Sequence, residues 1–372
     1  MSEALLMRAA PPHSADLFHA IPLEIIDPFL YAELDGRRIA VNGVLERDRI
    51  EGLGLGVEVV DPFELGLDEL LERGVGFLEA ELECDLRACR QIGLEQAVVP
   101  PDFPLAWADK LREAGIAVRV GAEAFDLRRR RKTEAQLAGI RRAQAAAEVA
   151  MAAAAGLVRE LPGGLTCERV REEMQRICDE HGAELPATVI VAHGAQSAVG
   201  HEEGSGPIER GEVVLVDIWP RDRVSRCWAD MTRTFVAGGA APPAELQEYW
   251  ELTRASLDAV LGEIRPGAVC RELHARSCEP FEAAGKPTVR TKPQNTVLEE
   301  GYYHGLGHGV GLEVHERPNL GRSDERLIAG DVVTVEPGCY RPGFGGCRLE
   351  DLVLVTEDGC EVLTDFPYDL AP

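Results

Sequence analysis

The stretch GEVVLVDIWPRDRVSRCWADMTRTF, residues 211–235, carries two aspartates inside runs that otherwise belong in a protein core. Asp217 ends the apolar strand VVLVD, and Asp230 lies in the middle of CWADMTRTF. The polar segment PRDRVSR between them reads as a turn, and thirteen positions of separation suit a hairpin. Side chains alternate faces along a strand, so in a suitable register both carboxylates point the same way. A buried carboxylate without a cation is costly, and two facing each other are worse.

The arrangement recurs further on. Glu336 ends VVTVE and Glu350 sits in CRLEDLVLV, with PGCYRPGFGG as the intervening turn. Two hairpins would then deliver four buried negative charges. One Arg cannot neutralise them, but two divalent cations about 3.5–4 Å apart, bridged by carboxylates, can. The segment GHGVGLEVHERP (307–318) adds a neutral imidazole, His308, between glycines that permit close backbone approach. One imidazole with four carboxylates is a mixed N/O set suited to Mn, Fe, Co or Zn. His315, on a strand-like segment, is better placed to face substrate than to add another ligand. A zincin helix is excluded, because neither His315-Glu316 nor His201-Glu202 has the second histidine that H-E-x-x-H requires. Taken singly, a strand-end Asp is usually a turn or cap residue. Matched acid pairs on two hairpins, together with GHGVG, are not explained by folding needs alone.

Outward from these hairpins the chain alternates between helix and strand patterns. The first third reads as βα units: a hairpin over 29–43 around Asp35-Gly36, helices over 61–74 and 102–115, and short strands in QAVVPP and IAVRVG. The basic run Arg128–Lys132 reads as a solvated linker entering a long helix capped by Thr133, and the domain boundary is placed there, giving domains 1–127 and 128–372. A second helix, CERVREEMQRICDEHG, stops at Gly182. Helix pairs precede strand hairpins twice over, which predicts an α+β domain with a weak internal repeat.

Bulk properties narrow the function classes. A chain of 372 residues with 45% hydrophobic and 28% charged residues has material for two domains with buried cores. A formal net charge of -25 argues against nucleic acid or an anionic membrane as partner. The ten cysteines form no C-x-x-C pair, and MSEALLMRAAPP lacks a basic region followed by an apolar one, which fits a cytoplasmic protein with reduced thiols. The alanine-rich run 145–158 contains Glu148 and reads as a soluble helix. No G-x-S-x-G elbow is present, and Cys339 and Cys347 lack a paired base, so they read as packed thiols.

These residues resemble the pita-bread metallopeptidases (family M24), which include methionine aminopeptidases, Xaa-Pro aminopeptidases and Xaa-Pro dipeptidases. The resemblance rests on Asp217, DMTRTF after Asp230, HGLGHGVGLEVHE around His308, VEPG at Glu336, RLED at Glu350, and QSAVGH ending at His201. It covers most of 128–372, and the N-terminal third resembles, weakly, the auxiliary domain of the prolidase, Xaa-Pro aminopeptidase and creatinase branch. The implied fold is α+β, a C-terminal pita-bread catalytic domain after a smaller α/β creatinase-like domain. The implied metal ligands are Asp217, Asp230, His308, Glu336 and Glu350, holding two divalent ions, Mn first and Co, Zn or Fe as alternatives. The resemblance further implies hydrolysis of the bond preceding proline by a metal-bridging hydroxide, with Glu336 as proton acceptor. His201 and His315 would act on the substrate, with His304 and Arg348 as further substrate-binding candidates. Expected partners are small peptides with proline second; dimers are common in the family. A creatinase-like amidinohydrolase, or a non-catalytic binding protein of the same fold, is the alternative. Trp219, Trp228 and Gln196 depart from the residues usual beside these motifs and bear on substrate preference.

Overall fold

Asp35 and Gly36 both take positive φ, 50° and 83°, as a type I′ hairpin turn requires. They close the expected hairpin of Phe29–Leu34 and Arg37–Val41. The computed structural model describes residues 4–371, and the chain divides into two units, Met1–Arg129 and Arg130–Pro372. In the first unit this hairpin lies in a six-stranded sheet ordered Val57–Val60, Arg37–Val41, Phe29–Leu34, Leu5–Ala9, Gln96–Val99, Ala117–Val120. The central pairs are antiparallel and the outer pairs parallel. Parallel neighbours need crossovers, and helices Val44–Glu51 and Leu105–Glu113 supply two of them.

The helix expected over 61–74 shrinks to Leu67–Glu72 because Asp61 instead accepts a hydrogen bond from the Phe63 N–H (3.0 Å), forming a turn. Helix Phe77–Gln91 had no counterpart in the sequence reading. It buries Leu82 and Leu86 beside the small Ala80, Cys84, Ala88 and Cys89, and the charged Asp85 on the same side interrupts the apolar stripe.

Most of the basic run is paired instead of solvated, although Arg131 is exposed. Arg128 pairs with Glu33 (3.0 Å) and Arg129 with Asp16 (2.8 Å) in the first unit, while Arg130 pairs with Asp331 (2.7 Å) and Lys132 with Glu316 in the second.

The second unit uses one plan twice. Helices Glu134–Glu160 and Cys167–Glu180 pack on a three-stranded sheet of Ile190–His193, Val213–Ile218 and Met231–Val236. Helices Ala244–Leu261 and Cys270–Ala283 pack on a five-stranded sheet that contains Val332–Val335 and Asp351–Val355. Thr133 starts the first helix with a full capping box: its hydroxyl accepts from the Gln136 N–H (3.1 Å), and Gln136 Oε1 accepts from the Thr133 N–H (3.0 Å). Register then places the acids. Asp217 lies opposite Thr232, and Asp230 sits just before its strand, not in the middle of it. Val335 lies opposite Asp351, so Glu336 and Glu350 flank the end of that ladder. The segment between them is more than a turn, because Gly338–Arg341 and Gly345–Arg348 form a hairpin of their own. Among the described residues no helix is long and apolar enough to cross a membrane.

Candidate metal centre

Five strand ends bring the five sequence-predicted ligands into one cluster. One ligand atom each from Asp230, His308 and Glu350 lies within 4.8 Å of the others. His308 Nε2 is 3.7 Å from Asp230 Oδ2 and 3.7 Å from Glu336 Oε1. Asp217 faces the same cluster, and its charge acts on Asp230, Glu336 and Glu350. The glycines around His308 are needed for crowding by neighbouring strands: a Cβ at Gly307 would lie 2.1 Å from the Thr334 carbonyl oxygen, and one at Gly309 2.2 Å from that of Arg317.

The cluster is electrostatically unbalanced. Asp217, Asp230 and Glu350 are 9%, 5% and 2% exposed. Burial first, and then the other carboxylates, hold Asp230 and Glu350 well above the usual carboxylate range. Burial pushes Glu336 up to about 7, with Arg348 pulling down and Asp217 pushing up. Burial and the neighbouring His315 bring His308 down to about 4, so its ring is neutral. His308 Nδ1 donates to the Gly309 carbonyl (3.1 Å), which leaves the Nε2 lone pair facing the carboxylates, the tautomer a metal ligand needs. Asp217 Oδ1 is buried and, among the described residues, has no hydrogen-bond partner. Four carboxylates against one guanidinium, an orphaned oxygen and an aimed lone pair fit divalent cations.

Arg348, 4% exposed, spends its nitrogens inside the protein: on Asp217 Oδ2 (2.5 Å), Thr232 Oγ1 (3.1 Å) and the Tyr340 hydroxyl (3.1 Å). Thr232 in turn donates to Glu350 Oε2 (2.7 Å). The Tyr340 hydroxyl donates to His304 Nε2 (2.9 Å), and His304 Nδ1 donates to the Gly305 carbonyl (2.8 Å). Both His304 nitrogens and each Arg348 nitrogen thus have a partner within the protein. Thr232 and Tyr340 escaped the sequence reading. The TRT alternation in DMTRTF was the one signal that could have exposed Thr232.

His315 ends a bend instead of lying on a strand, and its ring meets His308 edge-on at 4.2 Å. His201 is on an exposed loop and lies close enough to act electrostatically on both His304 and His315. Gln196 pins that loop: its Oε1 accepts from the Ser205 N–H (3.0 Å) and its Nε2 donates to the Ser205 carbonyl (3.1 Å). Trp228 donates to the Leu312 carbonyl (3.1 Å) and so holds the GHGVGL segment, while Trp219 packs against a cluster containing Tyr340. Cys339 and Cys347 face each other across their hairpin as free buried thiols, both pushed up to about 12 by burial, which suits packing and not nucleophilic attack.

Comparison with known proteins agrees with this geometry. The Xaa-Pro dipeptidase of Pyrococcus furiosus is 33% identical over 228 residues, covering 60% of this chain. The chain covers 61% of that relative's length. A solved Xaa-Pro dipeptidase from Bacillus anthracis superimposes with a TM-score of 0.80 at 24% identity, covering 99% of this chain and 94% of that one. An X-Pro aminopeptidase from Thermotoga maritima gives 0.78 at 22% identity, covering 99% and 96%. These likenesses establish the fold, a pita-bread domain preceded by a smaller N-terminal α/β domain. The model of metallopeptidase family M24 matches residues 138–357, well over half of the chain and a range that contains the five clustered residues. The chain belongs to metallopeptidase family M24.

Proposed function

We propose that this chain hydrolyses the peptide bond preceding proline in small peptides, as an Xaa-Pro dipeptidase or Xaa-Pro aminopeptidase with two divalent cations. The observation that carries the reading is the buried cluster of four carboxylates and one imidazole with a single protein cation, Arg348, against it. Asp217, Asp230, His308, Glu336 and Glu350 would hold the ions, Mn first and Co, Zn or Fe as alternatives. Ions so held lower the pKa of water and polarise a carbonyl oxygen.

The residues around them have separable roles. Glu336 accepts the proton of the attacking water through a carboxylate oxygen. His315 and His201 face the substrate and stabilise the charge that develops on the scissile carbonyl oxygen. Arg348, Thr232, Tyr340 and His304 position Asp217 and Glu350 through the hydrogen bonds described above. The proposed machinery lies within residues 128–372, and residues 1–127 are assigned no chemistry. Relatives of both peptidase types share the fold, so substrate length has to come from experiment, and we favour the dipeptidase.

The test is hydrolysis of an Xaa-Pro dipeptide beside an Xaa-Pro-Xaa tripeptide after loading with Mn, Co, Zn or Fe. Cleavage of the dipeptide alone supports the dipeptidase. Cleavage of the tripeptide supports the aminopeptidase. Inertness toward both with every metal would overturn the proposal.

A further inference from the structure

A second cavity, of about 820 Å³, opens at the start of helix Cys270–Ala283 and under the loop that follows it. Its volume falls within the range of small-molecule sites. Four cations line it, Arg271, Arg290, Lys292 and Arg322, against one carboxylate, Glu272. In a chain of net charge -25 this is a local reversal of the overall field. Two of the cations have acidic neighbours within the fold: Arg271 pairs with Asp324, and Arg290 stands 3.7 Å from Glu282. Lys292 and Arg322 do not. Among the described residues they donate to backbone carbonyls, those of Thr296 and Val289, and no carboxylate pairs with them.

The cavity also holds an incomplete polar group. His274 lines it at 3% exposure, and its Nε2 has no hydrogen-bond partner among the described residues. Such a group is costly unless a ligand or water completes it. Burial, and the charges of Arg322 and Arg290 against a backbone hydrogen bond at His304, depress its pKa; a bound anion favours the protonated ring, whose Nε2–H then donates to it.

We propose that this cavity binds a phosphate-bearing small molecule, with Lys292 and Arg322 gripping the phosphate and His274 beneath it. Guanidinium forks match phosphate oxygens, and Lys supplies a point charge to the same group. The space exceeds what a bare phosphate fills, and Ala275, Val289 and Pro293 offer apolar surface for an organic body. The site is separate from the metal cluster but shares a wall with it. His274 meets Tyr302 edge-on at 5.9 Å, and Tyr302 meets His304 at 5.1 Å.

The experiment is calorimetric titration of the metal-loaded full-length chain with phenyl phosphate and, separately, with benzoate. Saturable binding of phenyl phosphate that weakens at least about tenfold in the Lys292→Ala/Arg322→Ala double variant is expected, since two charge-assisted bonds are lost. His274→Gln should weaken it as well, and both variants should keep the wild-type circular dichroism. Unchanged affinity in the double variant would place the ligand elsewhere, at the metals included, and defeat the proposal. So would benzoate binding as tightly as phenyl phosphate, or no saturation by about 10 mM, where the binding energy falls below the millimolar range.

Discussion

Tyr340 shows how much a single hydroxyl carries. It donates to His304 and accepts from Arg348, whose other arm grips Asp217. Tyr340→Phe keeps the ring and removes that link. Turnover should fall by about 10- to 100-fold, the usual cost of losing an outer support, with metal content retained. His315→Ala should likewise keep bound metal while losing rate, measured as metal stoichiometry beside kcat; loss of metal would make His315 a ligand. Asp230→Ala or Glu350→Ala should lower the metal stoichiometry and cut activity on the order of 10³-fold, because several kcal/mol of charge stabilisation go with the ligand. The acids were legible in the sequence because carboxylates among Val and Leu are anomalous. Tyr340 and Thr232 were not, since a tyrosine in a core and a threonine in a strand are ordinary.

Among the elements, the loop carrying His201 is tied down at its far end by several side chains, Gln196 among them. Gln196 makes two hydrogen bonds to the Ser205 backbone, and His193 Nε2 lies 3.1 Å from the same Ser205 carbonyl. Gln196→Ala should raise KM by up to about 30-fold, with metal content unchanged, from two lost bonds of roughly 1 kcal/mol each. An unaltered KM would detach the loop from substrate binding. Hairpins and long helices were readable where turn chemistry was strong, as at Asp35-Gly36 and Thr133. The hairpin Gly338–Arg341 with Gly345–Arg348 was not, because its glycine-rich text reads as turn until Tyr340 and Cys339 are seen to be fully buried. Helix Phe77–Gln91 was hidden because its buried face mixes two leucines and small residues with the charged Asp85.

For the whole molecule, stability should respond to pH through Asp85. Burial raises its carboxyl to about 6, despite the opposing charge of Arg8 (3.0 Å) and the hydrogen bond from Trp107 (2.6 Å). An unfolded Asp titrates near 4, so between about 4 and 6 the fold binds more protons than the unfolded chain. Stability of the first unit should therefore fall as pH rises through that window, by up to about 3 kcal/mol. Asp85→Asn should flatten the slope. Urea unfolding followed by Trp107, the one tryptophan before residue 130, would check it, and parallel slopes in both proteins would contradict it. The fate of the basic run was not legible, because a string of arginines does not announce its partners. Those partners set a rule for cutting the gene. Asp331 is wholly enclosed and takes its countercharge from Arg130. A shortened chain that starts at Thr133 would strand that acid at a penalty of about 3–5 kcal/mol, so any attempt to study the peptidase half by itself should begin no later than Arg130.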